Sequence, residues 1–372
     1  MKKIVAFCLI FAITMGLFTV FPSADASLSV SAKGAVLIDA DSGSILYEKN
    51  AREPMGMAST TKIMTALTVL WLCTADSVVT IPKDAVGIEG SSVYLCEGEQ
   101  LTVEQLLYAL LLSSANDAAV ALAIHSAGSV ESFCAQMNKY ADSLGIEDTN
   151  FTNPHGLYDD DHYTTALSLA LIAREAMKNE LLRKIFSTHK ATIPFNGTPD
   201  RRLLVNHNKL LRTYDGAIGV KTGFTKKTGR TLVSAAERDG LTLIAVTLNA
   251  PDDWQDHTAM LNYGFENYER RVIYEAGEYE YYMPVVGTDA EYARLTNSEP
   301  LTLTAKKGET SVSERVRSSY RFTYAPCAKG AVLGSIELSM DGRTASSPLI
   351  TGEEICKPKK EKSFWDKLFK KD

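Results

Sequence analysis

Ser59 and Lys62 stand at the start of a long apolar run, and this placement constrains the fold more than any other feature of the sequence. Residues 63–72 carry no charge and predict a buried helix. Side chains three residues apart share one helix face, so the hydroxyl and the amine are expected to be neighbours. Burial and the positive end of the helix dipole both disfavour the charged form of the lysine. We therefore interpret the pair as a nucleophile with its general base.

The spacing alone is not specific, because it recurs at Ser187 and Lys190. Pro194 follows this second copy and argues against a long helix there. We interpret the second copy as a helix exit on the surface. The first copy gains meaning only if partners for it occur elsewhere in the chain.

A second motif contains Ser114 and Asn116, at the point where a predicted helix over 101–112 is interrupted before another over 118–127. A hydroxyl in such a break can relay a proton, and an amide can hold a substrate amide by donating and accepting together. The alternative is that both residues only cap the following helix.

A third motif consists of Lys221, Thr222 and Gly223, which follow the short strand-like run 217–220. A lysine and a hydroxyl at a strand end can bind a substrate carboxylate, and glycine lets a substrate backbone approach the strand edge. A second K-T-G triplet at 227–229 lies in a turn-rich stretch, so the first triplet is preferred. The alternative for Lys221 is an ordinary surface lysine.

In this order the three motifs resemble the serine-type D-alanyl-D-alanine carboxypeptidases, the low-molecular-mass penicillin-binding proteins of peptidase family S11. The flanking residues 57–66, 114–118, 155–157 and 219–225 strengthen the resemblance, which covers about residues 30–270. It implies removal of the terminal D-alanine from D-Ala-D-Ala-ending peptidoglycan stem peptides through a serine acyl-enzyme, which limits cross-linking. It also implies covalent inhibition by β-lactam antibiotics and requires no cofactor or metal.

The resemblance implies catalytic roles for three side chains and two backbone groups. Ser59 attacks the carbonyl of the penultimate D-alanine, Lys62 takes the hydroxyl proton, and Ser114 passes it to the leaving amine. The backbone N–H groups of Ser59 and Phe224 form the oxyanion hole.

Four further residues are implied to bind the substrate. Asn116 holds the peptide backbone of the stem peptide. Lys221 and Thr222 bind the terminal carboxylate, and Gly223 lets the substrate approach. The implied proximity of the two lysines also lowers the pKa of Lys62.

Three departures from the family pattern affect expectations about turnover and substrate preference. Phe224 stands where the family often has histidine, and Ser168 where an acidic residue is common. The family's arginine downstream of the K-T-G strand has no clear match in residues 252–257.

Other functions with the same motifs stay open from sequence. A class A β-lactamase would need a Glu-x-x-x-Asn arrangement, which Glu180 lacks. A D,D-endopeptidase can use the same site, and a slow or inactive cell-wall-binding scaffold is the non-enzymatic alternative. Formal net charge is −6, which argues against nucleic-acid binding.

The chain divides into four predicted parts. Residues 1–26 form a secretory signal peptide with an A-x-A site, an uncleaved anchor being the alternative; export to the extracytoplasmic face of the membrane follows. A peptidase domain over 27–273 and a β-sandwich-like domain over 274–355 come next. Residues 357–372, within the predicted tail 356–372, carry seven lysines against three acidic residues. They predict a basic amphipathic helix on a membrane surface, or else a solvated tail.

The predicted fold class is α/β (α+β), a β-lactamase/transpeptidase-like domain with helices on an antiparallel sheet, followed by a small all-β domain. We interpret the acidic stretch 159–161 with His162 as solvated surface. The cysteines lack C-x-x-C spacing and the histidines lack H-E-x-x-H spacing, so no metal site is expected. Further predicted helices cover 131–144, 165–187 and 257–268; predicted strands cover 35–38, 45–47, 232–236, 241–248, 302–305, 320–324 and 330–338.

Overall fold

The computed structural model describes residues 28–357. The predicted signal peptide and nearly all of the predicted tail lie outside these residues. Within them no single helix has the length and apolar character needed to cross a membrane.

Helices and strands alternate from residue 28 to residue 267, and strands alone follow up to residue 357. The helices are α1 (Lys62–Leu72), α2 (Val103–Leu112), α3 (Asn116–Ala127), α4 (Val130–Ser143), α5 (Ala166–Lys178), α6 (Glu180–Ser187), α7 (Leu210–Thr213) and α8 (Asp253–Asn267). The strands up to α8 are β1 (Gly34–Asp39), β2 (Ile45–Lys49), β3 (Val78–Thr80), β4 (Gln100–Thr102), β5 (Lys190–Phe195), β6 (Thr198–Val205), β7 (Ala217–Thr225), β8 (Gly229–Arg238) and β9 (Leu241–Leu248). The later strands are β10 (Tyr268–Tyr274), β11 (Glu280–Val286), β12 (Tyr292–Asn297), β13 (Leu301–Lys306), β14 (Ser313–Arg317), β15 (Thr323–Tyr324), β16 (Val332–Met340) and β17 (Arg343–Thr351).

A five-stranded antiparallel sheet organises the first part, in the order β2-β1-β9-β8-β7. Alternate side chains point to opposite faces. On one face Val36 and Val246 join the large core with α1 to α6. On the other, Leu37 and Ala245 pack with Met260 of α8. The predicted arrangement of helices on an antiparallel sheet is confirmed, and β7 is an edge strand.

Two sequence predictions of local structure are wrong. The single helix predicted over 165–187 is two helices, because the Asn179 side chain accepts a hydrogen bond from Leu182 N (3.1 Å) and starts α6 anew. The strand predicted over 320–324 is only the two residues of β15. The β5–β6 hairpin was not predicted, since Pro194 within it marked only the absence of helix.

The last part is all β, as predicted. Six strands form a sheet in the order β14-β16-β17-β12-β11-β15, and β10 pairs with β13 in a separate ribbon. Leu295, Leu303, Ile336, Leu338 and Leu349 are buried between them.

Candidate active site

Ser59 lies on a 3-10 turn, Ala58–Thr61, that leads directly into α1. Lys62 is the first residue of α1, and its Nζ lies 3.0 Å from Ser59 Oγ. The Lys62 side chain is fully buried whereas Ser59 is half-buried, so the hydroxyl is open to a ligand and the amine is not. The predicted contact is therefore present, although a 3-10 turn, not the α-helix itself, supplies Ser59.

Three oxygens surround the Lys62 amine. Besides Ser59 Oγ, Nζ contacts Asn116 Oδ1 at 2.7 Å and the His155 carbonyl oxygen at 2.6 Å. The amide and carbonyl oxygens can only accept hydrogen bonds, whereas the serine hydroxyl can also donate. A neutral amine has two N–H donors for these two acceptors, which leaves its lone pair for the Ser59 hydroxyl.

Burial lowers the pKa of both lysines at the site. The pKa of Lys62 falls well below its ordinary value, first through burial and then through repulsion from Lys221, while Asp117 acts in the opposite direction. Burial lowers the pKa of Lys221 to about 7. Lys221 is 2% exposed, so it is not the ordinary surface lysine of the alternative interpretation.

Asn116 joins the site through both ends of its side-chain amide. Oδ1 contacts Lys62, and Nδ2 donates to Glu89 O at 2.6 Å, while the backbone N–H donates to Ser91 O at 2.7 Å. The residue thus ties the loop 89–91 to the lysine. One acceptor lone pair and one N–H of the amide remain for a ligand.

Ser114 occupies the predicted break between α2 and α3. It is buried and has φ +58°, a left-handed conformation that is costly for serine. Its hydroxyl makes no direct hydrogen bond to Ser59 or Lys62, so the described structure brings Ser114 near the site only through its neighbour Asn116. Asn116 is the first residue of α3, and no side-chain cap is formed there.

Gly156 lets the loop carrying His155 touch the nucleophile turn. Its φ is +88°, and a Cβ at this position would lie 1.9 Å from Ala58 O. Every other residue type would collide with the backbone of the turn that holds Ser59. Thr65 of α1 holds the same loop by donating to Pro154 O at 2.6 Å.

His162 also holds the nucleophile turn, so its interpretation as solvated surface is wrong. It is buried, and its Nδ1 accepts from Thr152 N at 3.0 Å, which leaves Nε2–H to donate to Thr61 Oγ1 at 2.8 Å. The Thr61 hydroxyl in turn donates to Ala58 O. Burial lowers the pKa of His162 to about 4, so the ring is neutral at pH 7. Its acidic neighbours gave no sign of this contact in the sequence.

The edge strand β7 passes directly beside Ser59. A Cβ on Gly223 would lie 2.9 Å from Ser59 N and 2.4 Å from Thr231 Oγ1, so glycine is required for this approach. Gly223 and Lys221 share the face toward Ser59, and Thr222 and Phe224 share the opposite face.

The structure thus brings Ser59, Lys62, Asn116, Lys221 and Gly223 to one place. The D-alanyl-D-alanine carboxypeptidase family profile matches residues 21–252, and that of the penicillin-binding protein 5 C-terminal domain matches residues 268–357. The chain belongs to the D-alanyl-D-alanine carboxypeptidase family. The fold and the serine-type enzyme class predicted from the motifs are therefore confirmed.

Relatives in this family match between 64% and 89% of the chain. D-alanyl-D-alanine carboxypeptidase DacF of Bacillus subtilis is 35% identical over 341 residues, 89% of this chain and 87% of DacF. The structure of penicillin-binding protein 5 from Haemophilus influenzae is 32% identical, with a TM-score of 0.73 over 88% of this chain and 98% of its own. The Streptomyces K15 DD-transpeptidase is 37% identical, with a TM-score of 0.61 over 64% of this chain and 98% of its own.

The departures from the carboxypeptidase family pattern fall at positions with identifiable contacts. Ser168 lies in the first turn of α5, where its N–H donates to the capping Thr165 side chain at 3.0 Å. Phe224 is 61% exposed and follows Gly223 on β7, so its ring lies on the sheet face opposite Ser59. Residues 252–257, at the start of α8, contain no arginine, and Asp253 there forms an ion pair with Arg230.

Two charged side chains hold the backbone of residues 93–95, in the loop that follows Ser91. Buried Asp117 accepts from Val93 N and Leu95 N, and Arg202 donates to the carbonyl oxygens of Val93 and Tyr94. The exposed Tyr94 side chain is therefore carried on a backbone held from both sides.

Among residues 28–357, no group of three or more His, Cys, Asp or Glu side chains is arranged to hold a metal ion.

Proposed function

We propose that Ser59 is the nucleophile with which this carboxypeptidase removes the terminal D-alanine of peptidoglycan stem peptides, with Lys62 as its base. The observation that carries the proposal is the arrangement of three oxygens around the buried Lys62 amine. Two of these oxygens accept the N–H hydrogen bonds of the Lys62 amine, and the third belongs to the Ser59 hydroxyl. General-base catalysis of this kind contributes about 10²–10⁴-fold to a rate.

Acylation follows from this arrangement. Lys62 takes the Ser59 proton as Oγ attacks the penultimate D-alanine carbonyl. The N–H groups of Ser59 and Phe224 then stabilise the oxyanion; Ser59 is near the start of its turn, where N–H groups have no partner within the helix. Ser114, held in the helix break beside Asn116, passes the proton to the leaving D-alanine amine. Water hydrolyses the acyl-enzyme, and the shortened peptide can no longer act as a cross-linking donor.

Binding of the substrate uses the edge of the sheet. The peptide lies along the free edge of β7 as an added strand, with one side held by the remaining donor and acceptor of Asn116. The terminal carboxylate meets Lys221 and the Thr222 hydroxyl, while Gly223 permits the close approach. A β-lactam presents a similar carbonyl and carboxylate, and acylates Ser59 as a slow substrate.

Two substrates test the proposal on one preparation. We expect the protein to release D-alanine from an N-acylated Lys-D-Ala-D-Ala peptide and to be labelled covalently by a fluorescent penicillin. Ser59→Ala should abolish both, and the matched variant Ser187→Ala should change neither by more than about twofold. Labelling without D-alanine release would indicate the scaffold, and rapid penicillin hydrolysis would indicate a β-lactamase. Cleavage of a cross-linked dimer in preference to the peptide would indicate an endopeptidase.

We further propose that the enzyme works at the extracytoplasmic face of the cell membrane. Support comes from two sequence patterns: the signal-peptide pattern of residues 1–26 and the lysine-rich amphipathic pattern of residues 357–372. The full chain should sediment with vesicles containing anionic lipid, and the chain ending at 356 should not. Equal sedimentation of the two proteins would refute the membrane contact.

A further inference from the structure

We propose that Arg230 binds the terminal carboxylate of the substrate and supplies the guanidinium that the family pattern places elsewhere in the chain. The proposal rests on the proposed function of the Ser59 site. Residues 252–257 contain no arginine, so a carboxylate subsite in this chain must take any second cation from another element.

The pairing of β7 with β8 places Arg230 at that subsite. Phe224 is opposite Arg230, and Thr222 is opposite Leu232. Arg230 and Thr222 therefore share one face of the sheet as diagonal neighbours, about 7–8 Å apart and within reach of a long side chain. Ser59 and Lys221 lie on the other face, but β7 is the edge strand of its sheet, so a carboxylate bound at this edge beside the Thr222 hydroxyl is also within reach of the Arg230 side chain.

Contacts with the start of α8 fix the guanidinium on one side. Arg230 Nε lies 3.0 Å from Asp253 Oδ1, and Asp253 is buried. The Trp254 ring lies 6.0 Å from the guanidinium carbon, and Trp254 N donates to the same carboxylate oxygen. Neither Nη group of Arg230 has a hydrogen-bond partner among residues 28–357, and the side chain is 42% exposed. A guanidinium that is held at Nε and has both Nη groups free can donate hydrogen bonds to a carboxylate ligand.

The neighbouring lysine gives a physical reason for a second cation. Lys221 Nζ donates to the Thr222 carbonyl oxygen at 3.0 Å, and it is buried with a pKa of about 7. An amine of this kind carries only part of a charge at neutral pH. A guanidinium stays fully charged throughout, so it can keep the subsite attractive to a carboxylate when Lys221 is neutral.

The test compares two peptides that differ only in the terminal charge, N-acyl-Lys-D-Ala-D-Ala and its C-terminal amide. We expect Arg230→Gln to lower kcat/KM for the carboxylate peptide by about 30- to 100-fold, mainly through KM, and for the amide by less than about threefold. Arg230→Lys, which keeps a cation beside Asp253 but lacks the fork, should fall between. Arg238→Gln, at the other end of β8, is the matched control and should leave both peptides unchanged.

Equal losses on the two peptides, or no loss from Arg230→Gln in an active enzyme, would overturn the assignment. Thermal melting of Arg230→Gln and Arg230→Lys separates unfolding from lost recognition. If the wild-type protein releases no D-alanine, the proposed function fails instead. The carboxylate assignment is then decided by the rates at which a penicillin and its methyl ester acylate Ser59. Arg230→Gln should lower the acylation rate of the penicillin, which has a free carboxylate, and should leave that of the ester unchanged.

Discussion

The two Ser-x-x-Lys copies have the same spacing but opposite surroundings. Lys62 is fully buried among three oxygens, whereas Lys190 is exposed at the start of β5. Ser59 faces the lysine amine, but Ser187 ends α6 by donating to Lys184 O at 3.1 Å. The second copy is thus the helix exit that its proline predicted. Spacing brings a serine and a lysine together, and only burial turns the lysine into a base.

The two K-T-G triplets show the same contrast. Lys221 is buried with a pKa of about 7, while the Lys227 side chain is 66% exposed, near Asp160 and over the Tyr158 ring. The first triplet lies on an edge strand beside Ser59, and the second follows that strand in a turn. Each motif therefore has a built-in control in the same molecule.

The largest effect should come from removing the buried amine of the first copy. Lys62→Met leaves no base for Ser59, so we expect D-alanine release to fall about 10³-fold. Lys190→Met removes an exposed amine and should change the rate by less than about twofold. The rate of D-alanine release from the N-acylated Lys-D-Ala-D-Ala peptide is measured for both variants, and comparable losses in the two would contradict the assignment of the base.

Loss of the buried lysine of the first triplet should have the next largest effect. Lys221→Gln removes both a carboxylate partner and the charge that lowers the pKa of Lys62, so kcat/KM should fall about 10²-fold. Lys227→Gln is the matched control. If steady-state kinetics showed the larger loss in Lys227→Gln, the choice between the triplets would be wrong.

A smaller effect should come from a change in the loop 154–156, which packs against the turn that carries Ser59. Gly156→Ala adds a Cβ against Ala58 O in a positive-φ conformation, and we expect about 2–3 kcal/mol loss of the free energy of unfolding. Gly98 has φ +79° with open space around it, so Gly98→Ala should cost only about 1 kcal/mol of backbone strain. Urea unfolding of both variants isolates the close approach; equal losses would show that backbone strain accounts for both.

The smallest effect should appear in the pH profile. Lys221 is charged below its pKa of about 7, so carboxylate binding weakens as pH rises above that value, and kcat/KM should fall by up to about tenfold. At low pH, protonation of Lys62 removes the base and produces the opposite limb. In Lys221→Arg the side chain stays charged, so the alkaline fall of kcat/KM should move to higher pH. If the alkaline fall were unchanged in this variant, another group would be responsible for it.

Much of the architecture follows from local patterns in the chain. The apolar run after Lys62 and the apolar runs 232–236 and 241–248 predicted α1, β8 and β9, because each of these elements is stabilised by neighbours in sequence. The break at Asn179 was missed although its cap is local, since Asn179 Oδ1 accepts from Leu182 N only three residues away. The β5–β6 hairpin was missed because Pro194 argues against a helix without indicating a strand. At the site, the role of His162 was missed for a different reason, because its partner Thr61 lies 101 residues away.

The sequence by itself determined the family, the fold class and which residue types can act at the site, because motif order and helix spacing are properties of the chain. The tertiary structure alone decided which copy of each motif is buried, how the Lys62 amine is surrounded, and that Arg230 lies on the same sheet face as Thr222. These depend on strand register and on desolvation. Both arise only when segments far apart in the chain pack against each other.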